Sequence, residues 1–278
     1  MSSVAFLAQP IRWLQAIHAY RGTLTGSPNF GYDPCTRRVG DEELRGLDLS
    51  TLRFAFCGAE AAQPETLERF GRRFATCGFR PEALAPAYGL VEAAVDVALP
   101  PVGRGVWVDC VDGELQRTAG RAMPTSVGHS HVLRVASWGR PLPGYQVRII
   151  DASGSELPER CEGALQFKGP SATAGYYRNP AATAGLRHGE WLDTGDLAYL
   201  AEGELYITGR VKDLIIRRGR HIYPEELENA IGEHPHGIAR RPVSAASNAG
   251  ERRDWLPGAC ESRGGCLQRG SSSAEHRP

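Results

Sequence analysis

Three short stretches of the sequence place together residue types that can bind a nucleotide. In residues 87–92, an aromatic ring (Tyr88), a glycine (Gly89) and a carboxylate (Glu92) fall within five positions. The ring can stack on a base, glycine allows close backbone approach, and the carboxylate can offer an oxygen to Mg²⁺. A tight turn with a buried tyrosine and a surface glutamate fits the same residues, so this stretch alone is a weak predictor.

The second stretch is residues 191–196, Trp-Leu-Asp-Thr-Gly-Asp, which lead directly into a predicted strand. An ionised Asp196 carries only hydrogen-bond acceptors, so it can receive both hydroxyls of a ribose. Thr194 and Gly195 would bring the backbone close to the ligand. An ordinary Asx turn ahead of a β-hairpin fits this stretch equally well.

The third stretch, residues 208–228, is the most specific part of the chain. Arg210 follows a glycine at the end of a predicted strand, where its guanidinium could donate to ribose or phosphate oxygens. Lys212 and Asp213 form a charged pair between two segments predicted to be ordered. A basic surface loop is the alternative interpretation.

The elements that precede these stretches predict an α/β layer. Apolar residues recur at helical spacing over residues 10–21, a turn is predicted at 25–29, and residues 52–57 form a short apolar strand. A second helix begins at Pro64, after a polar loop. This order of strand, loop and helix places ligand sites at the carboxyl ends of strands.

The second half of the chain predicts a β-rich region. Residues 146–151 and 163–168 are expected to be strands, and residues 196–200 and 204–208 are expected to form a hairpin. A helix is expected over 224–231, with acidic residues in its first turn where the helix dipole favours them.

Charge and composition exclude several classes of protein. The 278 residues carry 32 Lys and Arg against 32 Asp and Glu, so the net charge is zero and a dedicated nucleic-acid binder is not expected. No apolar run is long enough to span a bilayer, and the N-terminus lacks the basic start of a signal peptide. Seven cysteines without metal-like or redox spacing favour a reducing, cytoplasmic location.

The last 39 residues, 240–278, differ from the rest. They contain 21 Arg, Ser, Gly or Pro residues and carry a charge of +3, against −3 for residues 1–239. We predict that this tail is disordered, because it has too few large apolar groups to offset chain entropy. The abrupt change suggests translation in a shifted reading frame, with a native disordered tail as the alternative.

Taken in order, and together with the strand and Gly-Tyr turn of residues 163–177, these stretches resemble the adenylate-forming enzymes. That superfamily contains acyl- and aryl-CoA ligases, luciferases and peptide-synthetase adenylation domains. Residues 6–35 and 213–224 look like those of the fatty acyl-AMP ligases. Most CoA ligases carry threonine where this chain has Val91, and a residue without a hydroxyl is usual in the acyl-AMP branch. The resemblance covers about residues 1–238.

The resemblance implies an α/β protein with the adenylate-forming fold. Residues 1–211 would be the C-terminal part of the large domain, an α/β layer plus a β-rich subdomain. Residues 212–239 would be the hinge and the start of the small C-terminal domain. Tyr88 would stack on the adenine of ATP. The residues that would bind this nucleotide are Gly58, Ala59, Glu60, Tyr88 and Gly89.

The resemblance also implies catalytic roles. Glu92 would hold Mg²⁺ or its waters, Asp196 would bind the ribose hydroxyls, and Arg210 would contact ribose or phosphate. Lys212 falls at the hinge about which the small domain rotates. A fatty acid would attack ATP to give acyl-AMP and pyrophosphate, and the acyl group would pass to an acyl carrier protein in lipid, polyketide or lipopeptide synthesis.

Two features of the family are missing from the sequence. Residues 1–50 contain no glycine-rich phosphate loop ending in lysine, and no lysine follows Lys212. We therefore expect a fragment with little or no activity of its own. An acyl-CoA ligase and a catalytically inactive nucleotide-binding remnant remain the alternatives.

Overall fold

The structure is a computed structural model that describes residues 2–126, 128–217 and 220–224. The first 86 residues form four helices and three strands, connected in places by 3₁₀ turns. In chain order they are α1 (Ser3–Ala8), α2 (Ile11–Tyr20), β1 (Leu24–Gly26), α3 (Asn29–Arg38), β2 (Phe54–Cys57), α4 (Pro64–Phe74) and β3 (Leu84–Pro86).

Strands β1, β2 and β3 form a parallel sheet in that order, so their carboxyl ends lie at one edge. The predicted strand at 52–57 and the helices at 10–21 and from Pro64 are confirmed as β2, α2 and α4. The turn predicted at 25–29 is wrong. Thr25 and Gly26 pair with β2, and Asn29 begins α3, whose internal Pro34 hides the helical pattern.

The core of this layer is aromatic and lies under α4. Phe70 is buried, with its ring centroid 5.0 Å from that of Tyr32 and 4.6 Å from that of Phe74. The Phe70–Phe79 centroid distance is 5.2 Å, and the rings are perpendicular. Full burial of one such side chain stabilises the fold by about 1.5–3 kcal/mol, which fixes α4 against the sheet.

The rest of the described chain is mostly strands. They are β4 (Tyr88–Leu90), β5 (Val95–Leu99), β6 (Val108–Asp112), β7 (Val132–Ala136), β8 (Arg140–Pro141), β9 (Gln146–Ile150), β10 (Gly163–Lys168), β11 (Arg187–His188), β12 (Trp191–Ala201), β13 (Glu204–Arg210), β14 (Ile215–Arg217) and β15 (Arg220–Ile222). Two helices, α5 (Gly113–Ala119) and α6 (Pro180–Leu186), interrupt them.

Five of these strands form an antiparallel sheet in the order β11-β12-β10-β9, with β13 paired to β12. The predicted strands at 146–151 and 163–168 are confirmed as β9 and β10. The predicted hairpin is confirmed as β12–β13, with longer strands than expected. Its turn residues Glu202 and Gly203 have φ of +56° and +74°, the backbone twist that suits a two-residue hairpin.

The buried apolar side chains fall into three clusters. The buried members of the first all come from residues 6–84. The second lies between β4, β5 and the five-stranded sheet, and the third lies on the other face of β12 and β13. Ala62 packs against both the first and the second cluster.

Several predictions fall outside the described residues. They are the helix at 224–231 beyond its first residue, most of the segment 212–239 and the tail 240–278. The two predicted domain boundaries stay predictions. Within the described part of the chain, no helix is both long enough and apolar enough to cross a bilayer.

Candidate nucleotide site

Asp196 lies within strand β12, where the strand bulges. Gly195 adopts φ +73°, and its amide donates to Asp193 Oδ1 at 3.2 Å. Thr194 Oγ1 donates to the carbonyl oxygen of Leu165 on β10 at 2.9 Å, and it accepts from the Asp196 amide at 3.1 Å. The loop predicted before the hairpin is thus a bulge inside a continuous strand, which re-aims the Asp196 side chain.

Both carboxylate oxygens of Asp196 have a protein partner. The Tyr88 hydroxyl donates to Oδ2 at 2.6 Å, and Arg210 Nε lies 3.1 Å from Oδ1 across the β12–β13 pair. Each oxygen has two lone pairs, so each can still accept from a ribose hydroxyl. The structure therefore brings together three residues that the sequence predicted to bind nucleotide.

Burial and hydrogen bonding act in opposite directions on Asp196, which is 6% exposed. Burial raises the pKa of its carboxyl above the ordinary value, and the bonds from Tyr88 and Arg210 partly offset that rise. Burial, followed by the Asp196 charge, raises the pKa of Tyr88 well above its ordinary value. Tyr88 therefore stays protonated and donates its hydrogen bond throughout the neutral range.

The carboxyl ends of β2 and β3 lie beside Tyr88. The Ala87 amide donates to the Cys57 carbonyl at 2.8 Å, and a Cβ at Gly58 would lie only 2.7 Å from the Ala87 carbonyl oxygen. Ala59 follows with φ +67°. Gly58 and Ala59 thus form a tight turn next to the candidate site, where a ligand is expected in an α/β layer.

Two predicted nucleotide residues have structural roles in the described molecule. Glu60 Oε1 accepts from the Phe30 amide at 3.0 Å, so its carboxylate caps the first turn of α3. At Gly89, any side chain would collide with the Val95 carbonyl of the adjacent strand β5. Contact of Glu60 or Gly89 with a nucleotide stays a prediction, as does stacking of adenine on Tyr88, a residue that is 6% exposed.

Glu92 lies in the 3₁₀ turn Val91–Ala93 that follows β4. Its Oε1 accepts from the Tyr176 hydroxyl at 2.6 Å, and its carbonyl oxygen accepts from the Thr173 amide at 2.8 Å. Within the described part of the chain, Oε2 has no protein partner. The neighbouring Val91 is exposed, so no hydroxyl is presented at that position.

This arrangement fits an Mg²⁺ that arrives with a nucleotide. The described residues contain no group of three or more His, Cys, Asp or Glu that could hold a metal ion by themselves. Mg²⁺ is usually held by one or two carboxylates together with waters and substrate phosphates. Glu92 has one oxygen bonded to Tyr176 and one open oxygen, so it could supply one such ligand.

Lys212 lies in the turn that follows β13. Its side chain is exposed and forms no ion pair with a described residue. The Val211 amide donates to the Gly195 carbonyl at 3.0 Å, so this turn begins beside the bulge that holds Asp196. The predicted hinge therefore starts next to the candidate site, and its role as a hinge stays a prediction.

The strands that follow Lys212 are attached to the body through a buried carboxylate. Tyr223, just after β15, donates to both oxygens of Glu162, at 2.9 and 2.8 Å, and Thr208 on β13 also donates to it. Glu162 is 1% exposed, so these bonds are shielded from water.

The sequence does not reveal the roles of Tyr176 and Asn29. Tyr176 belongs to the Gly-Tyr-Tyr turn that was recognised as a motif, but its partner Glu92 is 84 positions away. Asn29, the first residue of α3, is buried, and its side-chain oxygen accepts from the Gln63 amide at 3.0 Å. It lies in the segment predicted to be a turn, and no local signal indicated its burial.

A cavity of about 800 Å³ lies away from these residues, between α4, β6, β7 and the end of β12. Two arginines line it, and both are already ion-paired. Arg134 lies 2.8 Å from Glu65, and Arg160 lies 2.9 Å from Asp109. None of the residues predicted to bind nucleotide lines this cavity.

Comparison with known proteins places this geometry in context. The family described as AMP-binding enzyme matches residues 1–177. The chain is 38% identical over 259 residues to the medium-chain-fatty-acid–acyl-carrier-protein ligase JamA of Moorena producens, covering 88% of this chain and 43% of JamA. It is 36% identical over 252 residues to the long-chain-fatty-acid–AMP ligase FadD26 of Mycobacterium tuberculosis, covering 86% and 43%.

A similar solved structure is the fatty acyl-adenylate ligase of L. pneumophila in complex with acyl adenylate and pyrophosphate. It is 36% identical and superposes with a TM-score of 0.72 over 84% of this chain and 42% of that one. The chain thus spans a little under half the length of the relatives it matches.

Proposed function

Because the chain belongs to the AMP-binding enzyme family and is similar to fatty acyl-AMP ligases, we propose that it serves to activate a fatty acid with ATP. Its fold is part of the adenylate-forming fold, as the sequence predicted. The observation that carries the proposal is the convergence of Tyr88, Asp196 and Arg210 beside the carboxyl ends of β2 and β3.

In the proposed reaction, a fatty-acid carboxylate oxygen forms a bond to the α-phosphorus of ATP. The bond from that phosphorus to pyrophosphate breaks, and acyl-AMP remains. No protein nucleophile is needed, so the chain's contribution is positioning and charge stabilisation. Asp196 would hold the ribose, and Arg210, which commits Nε to Asp196, keeps its two Nη groups for oxygens of the nucleotide.

Magnesium, when bound with ATP, would neutralise the charge that builds up on the phosphates. Glu92 is the residue we assign to it, because one of its carboxylate oxygens is open. The other oxygen is fixed by Tyr176.

We further propose transfer of the acyl group to an acyl carrier protein rather than to coenzyme A. The name of the relative JamA states this acceptor, and Val91 removes the hydroxyl that most CoA ligases carry. Rotation about Lys212 would separate the two half-reactions. Release of acyl-AMP without a CoA thioester, followed by mass spectrometry, would support this acceptor. Ready formation of the thioester would contradict it.

A second candidate function, nucleotide binding with weak catalysis, is favoured by the lysine content. The sequence has two lysines, Lys168 and Lys212, and Lys168 lies 3.5 Å from Glu190. No lysine-tipped glycine-rich loop is present to cradle phosphates. We therefore propose that this chain alone gives near-background exchange of pyrophosphate into ATP, and robust fatty-acid-dependent exchange would refute that.

Binding of an acyl-AMP analogue tests the site itself. We expect a non-hydrolysable acyl sulfamoyl-adenosine to bind the wild-type chain, and Asp196→Ala to weaken binding at least about tenfold, because a bond to a charged group is worth about 1.5–3 kcal/mol. Glu190→Gln, a change at an exposed carboxylate, is the matched control and should bind as the wild type does. Equal binding by Asp196→Ala in calorimetry would refute the assigned site.

The remaining expectations concern location and partners. Four described cysteines (Cys35, Cys57, Cys77 and Cys110) are free thiols, which supports our proposal of a reducing, cytoplasmic compartment. The partners we propose are a fatty acid and a carrier protein, and no nucleic acid.

A further inference from the structure

We propose that Tyr176 is a positioning residue for Glu92, holding one carboxylate oxygen so that the other is presented to the Mg²⁺ that accompanies ATP. This inference rests on the proposed role of Glu92 as the magnesium ligand. It assigns a function to the Gly-Tyr turn of residues 163–177, which the proposed reaction does not otherwise use.

The contact itself is short and connects two distant parts of the chain. The Tyr176 hydroxyl donates to Glu92 Oε1 at 2.6 Å, the length of a charge-assisted bond. It is the one side-chain hydrogen bond of Glu92 within the described part of the chain. A half-buried glutamate side chain without a partner samples several rotamers, and this bond removes that freedom.

Tyr176 can position Glu92 because hydrogen bonds fix the segment around Tyr176 to the Glu92 turn. The Thr173 amide donates to the Glu92 carbonyl at 2.8 Å, and Ser171 Oγ donates to the Ala93 carbonyl at 2.5 Å. The Tyr176 amide donates to Thr183 Oγ1 on α6 at 2.9 Å. Tyr176 is therefore held in place by neighbours that do not contact the Glu92 carboxylate.

The chemistry of the two groups suits this contact. Glu92 Oε1 is a carboxylate oxygen that can only accept, and the Tyr176 hydroxyl supplies the donor.

The next residue provides a matched control. Tyr177 is 85% exposed, and its hydroxyl has no hydrogen-bond partner among the described residues. Its ring lies 5.1 Å from the Arg178 guanidinium, a contact that removal of the hydroxyl does not disturb. Tyr176→Phe and Tyr177→Phe thus remove the same atom one position apart.

The experiment measures Mn²⁺ binding to the full chain saturated with α,β-methylene-ATP, using the electron paramagnetic resonance signal of free Mn²⁺. Partners of metal-ligating groups are typically worth about 10–100-fold in metal affinity, and this site is partly exposed. We therefore expect Tyr176→Phe to weaken Mn²⁺ binding about tenfold, Tyr177→Phe to match the wild type, and Glu92→Gln to remove most of the binding. Metal-free affinity for the analogue should be the same in all four proteins.

The outcomes separate this inference from the function it rests on. If Glu92→Gln binds Mn²⁺ as tightly as the wild type, or if the wild type binds none, the proposed role of Glu92 fails and this inference fails with it. If Glu92→Gln loses binding but Tyr176→Phe does not, only the inference is overturned. A metal-free loss of nucleotide affinity in Tyr176→Phe would also overturn it, because the hydroxyl would then act on the pocket as a whole. The double variant should bind no more weakly than Glu92→Gln.

Discussion

Replacing Tyr88 with phenylalanine tests how the candidate site is held together. The change deletes the hydroxyl that donates to Asp196 Oδ2 at 2.6 Å and leaves the buried ring in place. A hydrogen bond to a charged group contributes about 1.5–3 kcal/mol. For a protein of this size 1 kcal/mol corresponds to about 2–4 °C, so Tyr88→Phe should lower the melting temperature by about 3–12 °C.

The effect should depend on pH in a defined direction. The Tyr88 bond lowers the pKa of Asp196, which means that it stabilises the ionised carboxylate. The destabilisation by Tyr88→Phe is therefore largest above the folded-state pKa of Asp196, which lies above the ordinary value. It should shrink as the pH falls through that pKa, because a protonated carboxyl accepts a weaker, neutral hydrogen bond.

Urea unfolding followed by tryptophan fluorescence is a suitable assay, because the Trp138 ring lies 6.1 Å from that of Tyr88. In an Asp196→Asn background the same tyrosine change should cost only about 0.5–1.5 kcal/mol, the value of a neutral bond. Tyr177→Phe should change stability by less than about 0.5 kcal/mol. A coupling energy near zero between Tyr88 and Asp196 would refute the reasoning.

Three further outcomes follow from the same contacts. Asp196→Asn should keep or raise the melting temperature at pH 7 while losing nucleotide affinity. The pKa of Asp196 is raised in the folded state, so ionising its carboxyl destabilises the fold as the pH rises from 3.8 through the folded-state pKa. A marked drop of the melting temperature in scanning fluorimetry would contradict this. Phe70→Ala should cost about 3–5 kcal/mol in urea unfolding, and a loss below about 1 kcal/mol would mean that the aromatic core is not packed as described. Tyr223→Phe should speed amide hydrogen exchange in the β14–β15 hairpin but not in β1–β3, because the bonds from Tyr223 to Glu162 attach that hairpin to the rest of the fold. Unchanged exchange in β14 and β15 would show that other contacts hold the hairpin.

Local patterns predicted the parts of the fold whose stability is local. Helix α4 shows a proline at its start and apolar residues at helical spacing, and the β12–β13 hairpin shows a glycine turn between apolar strands. Strand β1 has three residues and no alternation to read, so its existence depends on pairing with β2, 28 or more positions later along the chain. Helix α3 was missed because Pro34 interrupts its pattern.

In the candidate site, too, local patterns predicted the residue types but not the contacts between distant residues. The residue types at Tyr88, Asp196 and Arg210 were identified by motif, and the structure brings these three into contact. What the sequence could not supply was the pairing, because Tyr88 and Asp196 are 108 positions apart. The extra role of Glu60 at the start of α3 was also hidden, since a capping carboxylate and a ligand-binding carboxylate look alike in sequence.

The three apolar clusters bear on how the molecule comes apart. All buried side chains of the first cluster come from residues 6–84, whereas the second and third share the two sides of one hairpin, β12–β13. Unfolding of that hairpin would therefore expose the buried side chains of both clusters at once. The aromatic core under α4 would keep nearly all of its own side-chain contacts. We therefore expect two cooperative units, and the melting temperature that the Tyr88 and Asp196 variants shift is that of the unit containing the hairpin.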